Sequence, residues 1–341
     1  MIGSAPTPSP QVLISVVLPA LNEERFIAQC LQCLANQEFP RAQFEVLVMD
    51  NASTDRTSEI AAGFLESLPI AIYENKNTSI SSVRNAGARL ARGRHLAFLD
   101  ADCLVPQDWI ANAVTLFADL KPCVLGAPYG IPERSTWVGK SWYQHQQRKL
   151  GSVSYVPGGT LMISKQDFTL VGGFDESLQT NEDYEFCQRA FTAGLPILAF
   201  AELQVCHLGT PQTLTAFYQK QRWHGKHVFK VFFRSLPRLR NLMAVAFAFY
   251  VLSCIFGLAA GLVILVGMGR WEVTSFFAVA LLAPPIALSV RSNLRREGRF
   301  TFLPLAMLLL TFGVARAACL MGFAMNRAAG VPLAQEGIRH S

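Results

Sequence analysis

The 341-residue chain has little charge: Asp, Glu, Lys and Arg make up 16% of it against 51% hydrophobic residues, with a mean hydropathy of +0.28. That balance excludes a disordered chain and directs attention to membrane segments. Glycine-rich phosphate cradles are missing as well. No G-x-G-x-x-G follows the first apolar segment and no G-x-x-x-x-G-K-[ST] occurs anywhere, which excludes the usual dinucleotide and P-loop sites. The eight cysteines are not spaced as a disulfide framework, so a reducing compartment is expected. Cys30-Leu31-Gln32-Cys33 is a CxxC without a second pair at zinc-site spacing, and it reads as packing in an amphipathic helix. Residues 1–11 lack a charged start and an apolar core, so a flexible tail and no signal peptide are expected.

Long apolar runs are present, all in the last third. No charge occurs from Leu242 to Gly269, and further runs cover 271–290 and 300–325, the second holding Pro284-Pro285 and the third Arg316. Each reaches or approaches the roughly 20 residues that span a bilayer as helix, so 241–326 reads as a transmembrane region. Arg316 leaves two readings for the third run: a span with an inward-facing cation, or a partly interfacial helix. Basic segments lie before the first run (RSLPRLR) and between the second and third (RSNLRREGR), which predicts a cytoplasmic N-terminal part at an inner or plasma membrane. Residues 226–240, with Lys226, Lys230 and Arg234 on one stripe, read as an amphipathic interfacial helix, and 327–341 as a tail. The net charge of +6 is therefore attributed to contact with membrane lipid, and no nucleic acid partner is expected.

Residues 12–100 alternate two kinds of segment. Residues 12–18, 44–49, 69–74 and 95–99 are short and apolar, as buried strands are, and between them 23–36, 54–67 and 81–92 carry helical spacing. The order β-α-β-α-β-α-β predicts an α/β domain with a mostly parallel sheet and helices on both faces. Ligands of such sheets bind beyond the carboxyl ends of the strands. There the sequence places Pro19 to Glu24, Asp50 to Asp55, and Asp100-Ala101-Asp102. Ser53 or Thr54 can cap the second helix, with Asp55 in its first turn, but no helix start follows Asp102 closely enough to use it as a cap. Without a glycine-rich cradle, carboxylates such as Asp102 suit Mg²⁺ or Mn²⁺ shared with substrate phosphates.

In order along the chain, VVLPALNEE, VLVMDNASTDRT, SSVRNAGARLARGRHLAFLDADC, GGTLMISKQDFTLVGGFDE, NEDYEFCQRA and QKQRW resemble the family 2 glycosyltransferases of the GT-A fold over about residues 12–225. The resemblance implies an inverting, metal-dependent transfer of sugar from a nucleotide-sugar, UDP-linked by default, to a glycan or lipid-linked acceptor. It implies that Pro19, Glu23 and Asp50 line the nucleoside pocket, that Arg84 reaches the nucleotide, that Asp100 binds the ribose side, and that Asp102 is the metal ligand. Asp183 would be the general base with Glu182 beside it. Gly158 and Gly159 would lie beneath the acceptor sugar, and Gln219, Arg222 and Trp223 would surround the diphosphate and acceptor. His207 is a further metal ligand in this reading and a structural histidine in the plainer one.

The same residues admit other readings. Glu182 and Asp183 could simply open a helix, where acids complement the dipole. An ionised polyprenyl phosphate acceptor would need no base, and Asn181 before Glu182, where processive synthases usually show Thr, weighs against polymer synthesis. A catalytically idle scaffold of a polysaccharide-export complex should have lost some of Asp100, Asp102, Asp183, Arg222 and Trp223, and all are present.

Overall fold

The computed structural model describes residues 11–76, 79–146, 150–178, 180–225, 239–294 and 302–328; the expected tails and most of the expected interfacial helix at 226–240 lie outside them. The chain divides into two units: Met1–Pro132 with Gln147–Gly209, and Glu133–Gln146 with Thr210–Ser341.

In the first unit, ISVVLPA forms β1 (Ile14–Ala20) and FEVLVMD forms β2 (Phe44–Asp50), both buried throughout. Successive side chains of a strand point to opposite faces. Ile14, Val16 and Leu18 accordingly join one core, whereas Val17, Leu47 and Met49 join another. The first core is closed by α1 (Ile27–Ala35), α2 (Thr57–Ala62) and α4 (Trp109–Asp119). The second is closed by α3 (Ile80–Leu90), α6 (Lys165–Val171) and α7 (Glu182–Thr192). Helices thus cover both faces, as the sequence order predicts. On α1 the buried residues Ile27, Cys30, Leu31 and Leu34 follow helical spacing, which confirms Cys30 as core.

The remaining strands are β3 (Ile70–Glu74), β4 (His95–Phe98), β5 (Cys103–Leu104), β6 (Val124–Gly126), β7 (Gly151–Ser152), β8 (Met162–Ser164), β9 (Ile197–Ala199) and β10 (Cys206–His207). The main sheet has the order β3-β2-β1-β4-β8-β6-β9-β7. Its β3-β2-β1-β4 half is parallel, and β8 then runs antiparallel to β4. A two-stranded β5-β10 ladder stands apart.

Two local devices position the strand ends. Phe98 packs against Phe168 and Phe174, and Phe174 against Phe186, with ring centroids 5.0–5.2 Å apart. Such pairs add about 0.5–1.5 kcal/mol each to plain burial, and here they tie β4 to α6, α7 and the loop between them. At the other end of the site, the loops after β1 and β2 are laced together. Asn22 N donates to Ser53 Oγ at 2.9 Å and Thr54 N to Asn22 Oδ1 at 2.8 Å. Ser53 therefore binds the neighbouring loop and does not cap α2; the helix starts after Arg56 without a side-chain cap, and Asp55, outside it, accepts from Thr57 N at 3.0 Å.

The second unit contains α5 (Trp137–His145), α8 (Leu214–Gly225), α9 (Leu239–Met268), α10 (Glu272–Leu294) and α11 (Phe302–Ala328). Within α9, α10 and α11, Val245–Met268, Glu272–Ser292 and Phe302–Gly322 are long and apolar enough to cross a membrane. Both prolines of the second run lie inside α10.

Candidate active site

The chain leaves β4 at Phe98 and turns at once, with Cys103 N donating to Asp100 O at 3.0 Å. In that turn Asp100 and Asp102 diverge. Asp100 Oδ1 accepts from Arg84 Nη2 at 2.7 Å, and its Oδ2 accepts from the Tyr129 hydroxyl at 2.7 Å. Arg84 also donates through Nη1 to Glu182 Oε1 at 2.6 Å, so one guanidinium bridges the end of β4 and the start of α7. Arg84, expected to reach the nucleotide, thus contacts Asp100, the residue expected at the ribose side. It is 3% exposed, and both terminal nitrogens are bonded inside the protein.

These contacts set the charges. Burial pushes the Asp100 carboxyl up, but Arg84, Tyr129 and His207 outweigh it and hold the group below the ordinary carboxylate range. Burial pushes the Glu182 carboxyl up, and the neighbouring Asp183 pushes it further, against the pull of Arg84. Burial and the adjacent Asp100 push the Tyr129 phenol up, so it remains a donor. Asp183 is partly buried and its Oδ2 accepts from Gly158 N at 3.1 Å.

Asp102 faces the β5-β10 ladder. There His207 pairs with Cys103, and Leu208 N donates to Asp102 O at 2.8 Å. His207 Nε2 lies 3.4 Å from Asp102 Oδ2. One potential ligand atom from each of Asp100, Asp102 and His207 falls within 4.8 Å of the others, so these residues could hold a metal ion. Two carboxylates and an imidazole form a donor set suited to Mn²⁺ or Mg²⁺. Small residues preserve the space: a Cβ on Gly209 would overlap the Asp102 carboxylate, and one on Gly159 would overlap Asp100 and Tyr129. A Cβ on Gly158 would stand 2.7 Å from Arg84 Nη1.

Pro19 lies in β1, Glu23 follows it, and Asp50 ends β2. Glu23 N donates to Thr57 Oγ1 at 2.7 Å, and Asp50, 3% exposed, accepts from Ser53 N at 3.0 Å. Both therefore belong to the carboxyl edge that also carries Asp100. Gln219, Arg222 and Trp223 are in the second unit, where spacing of three and four residues puts all three on the exposed face of α8. Tyr129 and Gly209 escape sequence reasoning. Neither stands in a local pattern, and only the adjacency of Gly209 to the His207 segment hinted at the second.

A partly parallel sheet with carboxylates and a histidine gathered at its carboxyl edge defines a GT-A-type α/β fold. Solved structures share it. The Pyrobaculum calidifontis mannosyltransferase PcManGT, in complex with GDP-Man and Mn²⁺, aligns over 92% of this chain and 88% of its own with a TM-score of 0.58 at 19% identity. Staphylococcus aureus TarS 1-349 covers 92% of both chains with a TM-score of 0.50 at 18% identity. The profile described as Glycosyl transferase family 2 matches residues 15–169, and that described as Glycosyl transferase family group 2 matches 95–326. The chain belongs to the family 2 glycosyltransferases and is a glycosyltransferase. It is 30% identical to the glycosyltransferase AglE of Haloferax volcanii over 68% of this chain and 78% of that protein. It is 24% identical to a beta-monoglucosyldiacylglycerol synthase of Nostoc over 62% of this chain and 48% of that protein, so it spans about half of the second relative's length.

Proposed function

We propose that the protein is an inverting, metal-dependent glycosyltransferase that moves a sugar from a nucleotide-sugar, UDP-linked by default, to a lipid-linked or otherwise membrane-associated glycan at the cytoplasmic face. The observation that carries this reading is the juxtaposition of Asp102 and His207 with the Arg84-bridged carboxylates Asp100 and Glu182 at one sheet edge. Asp102 and His207, with Asp100 behind them, would hold Mg²⁺ or Mn²⁺. The ion would supply charge neutralisation for the leaving diphosphate.

The chain's own groups do the rest. Pro19, Glu23 and Asp50 would line the nucleoside, and Asp100, fixed by Arg84 and Tyr129, would face the ribose side. Gly158 and Gly159 would lie beneath the acceptor sugar, and their lack of side chains lets this loop close onto Arg84 and Asp100. Asp183, beside Gly158, is the group to take the acceptor hydroxyl's proton. Glu182 is committed to Arg84 and acts as a positioning residue for the start of α7. Gln219, Arg222 and Trp223 would meet the diphosphate and acceptor. The membrane-proximal acceptor is supported by the apolar C-terminal helices and by a relative named as a glycolipid synthase.

The test is calorimetric titration of UDP and GDP, with and without Mn²⁺, into the detergent-purified protein and its Asp102→Asn variant. Metal-dependent binding of one nucleotide, lost in the variant, is the expected result. Equal binding with and without metal, or full binding by the variant, refutes the metal assignment.

A further inference from the structure

Length and composition give the second unit three candidate spans, yet α11 packs against one end of the other two. Its neighbours fix its depth. The hairpin of α9 and α10 is antiparallel: Tyr250 donates to Ala280 O at 2.5 Å, and a Cβ on Gly261 would stand 2.8 Å from Thr274 N. The start of α9 and the end of α10 therefore lie on one side, and Met268 and Glu272 lie on the other.

At the beginning of α11, Ser289, three residues before the end of the α10 span, donates to Phe302 O. Further along, a Cβ on Gly313 would stand 3.0 Å from Val251 and 3.1 Å from Phe247, and Leu320 clusters with Val245 and Ala248. These are the first turns of the α9 span. From Phe302 to Leu320 an α-helix advances about 27 Å, enough to cross the hydrocarbon layer. A crossing helix that began beside Ser289 would end beside Met268 and Glu272. Instead both ends of α11 lie at the level where α9 begins and α10 finishes.

Exposure agrees. From Leu308 to Leu320 no residue of α11 is exposed, whereas α9 and α10 present Phe256, Val263, Val266, Phe276 and Val279 outward. The cover on α11 is partly polar. Leu308 clusters with Val138 of α5 and Phe217 of α8. Cys319 Sγ donates to Arg222 O at 3.2 Å, and Arg316 Nη2 to Gln221 Oε1 at 3.4 Å. A Cβ on Gly225 would stand 2.6 Å from Cys319 Sγ, so α8 lies flush on α11. The outer sides of these covering helices carry Lys140, Gln144, Gln219 and Arg222, all exposed. With α11 upright in a bilayer, those groups would face hydrocarbon at mid-depth, where lysine and arginine are strongly disfavoured.

We propose that the membrane anchor is the two-span hairpin α9-α10, and that α11 lies in the lipid-water interface beneath α5 and α8, on the side from which α9 enters. The exposed face of α8, with Gln219, Arg222 and Trp223, then borders the headgroup layer. This topology also returns the chain to its starting side. Arg291 then stays on that side, and the opposite loop between α9 and α10 holds Arg270 as its single basic residue, as the positive-inside rule favours.

The test uses the full chain carrying one epitope at each end, in sealed vesicles of a single orientation treated with external protease, alongside alkaline carbonate extraction. The expected result is that the two epitopes are lost together in one vesicle orientation and protected together in the other, while the protein resists extraction. Epitopes on opposite sides would mean an odd number of crossings and overturn the proposal. Extraction of the protein by carbonate would overturn it too. Neither readout depends on the reaction, so this topology and the proposed glycosyl transfer stand or fall separately.

Discussion

Replacing Arg84 by Met is the perturbation whose size the structure defines best. Methionine keeps an apolar stem of similar reach and removes the only cation that bridges Asp100 and Glu182 among the described residues. Two charge-assisted hydrogen bonds, at 2.7 and 2.6 Å, disappear together. Asp100 retains the Tyr129 hydroxyl, whereas Glu182, 8% exposed and next to Asp183, loses its closest counter-charge. Removing one partner of a buried ion pair costs about 3–5 kcal/mol. At about 2–4 °C per kcal/mol, the first thermal transition of the detergent-solubilised protein should fall by roughly 6–20 °C at pH 8. The deficit should shrink in acid. Without Arg84 the Glu182 carboxyl rises further above its unfolded value, the native state then binds more protons than the unfolded one, and stability increases as pH falls through that window. Adding Glu182→Gln to Arg84→Met should recover part of the loss, because the uncompensated charge is gone. A shift under about 2 °C at pH 8, or a deficit unchanged between pH 8 and pH 5.5, would refute the reasoning.

Gly209→Ala places a methyl against the Asp102 carboxylate, so Mn²⁺ affinity measured by calorimetry should fall about 10–100-fold while the far-ultraviolet circular dichroism stays unchanged. Asp183→Asn is close in shape, leaves one oxygen to accept from Gly158 N or Tyr184 N, and removes the base. It should lower kcat by about 10²–10⁴ and leave nucleotide Kd near wild type; unaltered turnover would point to an already ionised phosphate acceptor. His95 packs flat against Phe117, with centroids 4.0 Å apart, and burial followed by Arg94 pushes its imidazole down to about 4. The unfolded chain therefore takes up a proton at higher pH than the native one. Native stability should be full above about pH 6.5 and fall by roughly 1–2 kcal/mol toward pH 4, discounting for its partial exposure, and His95→Phe should flatten that slope.

The half of the sheet that was legible in the sequence is the half whose strands are long. β1 and β2 are seven-residue runs with every residue buried, and β3 and β4 are flanked by helices of clear period. β6, β8 and β9 have three residues each and β7 has two, too short for any alternation to register. Their pairing depends on tertiary contacts, such as Thr160 Oγ1 donating to Ala127 O at 2.7 Å, that no local pattern announces. Arg84 illustrates the same limit at the site. Its position on α3 was readable, but its inward direction follows from Glu182, which is 98 residues away in sequence. The apolar run of α11 satisfied every compositional criterion for a span, and only its neighbours on α9 and α10 reveal its depth.

Asp100-Ala101-Asp102 shows why two carboxylates so close in sequence can do different work. Ala101, 2% exposed, is held in the core, which fixes the turn and sends the flanking side chains to different partners. Asp100 is clamped from both sides by a buried guanidinium and a partly buried phenol. Arg84 and Tyr129 thus fix the charge and rotamer of Asp100 before any ligand arrives. Asp102, 16% exposed at its side chain, has His207 at 3.4 Å and a glycine opposite, an arrangement that leaves room between carboxylate and imidazole. Preorganisation of this kind separates the cost of assembling like charges, borne once by the Arg84 network during folding, from the binding of a cation at the outer residue. The inner acid builds the wall, and the outer acid is left to meet what comes to it.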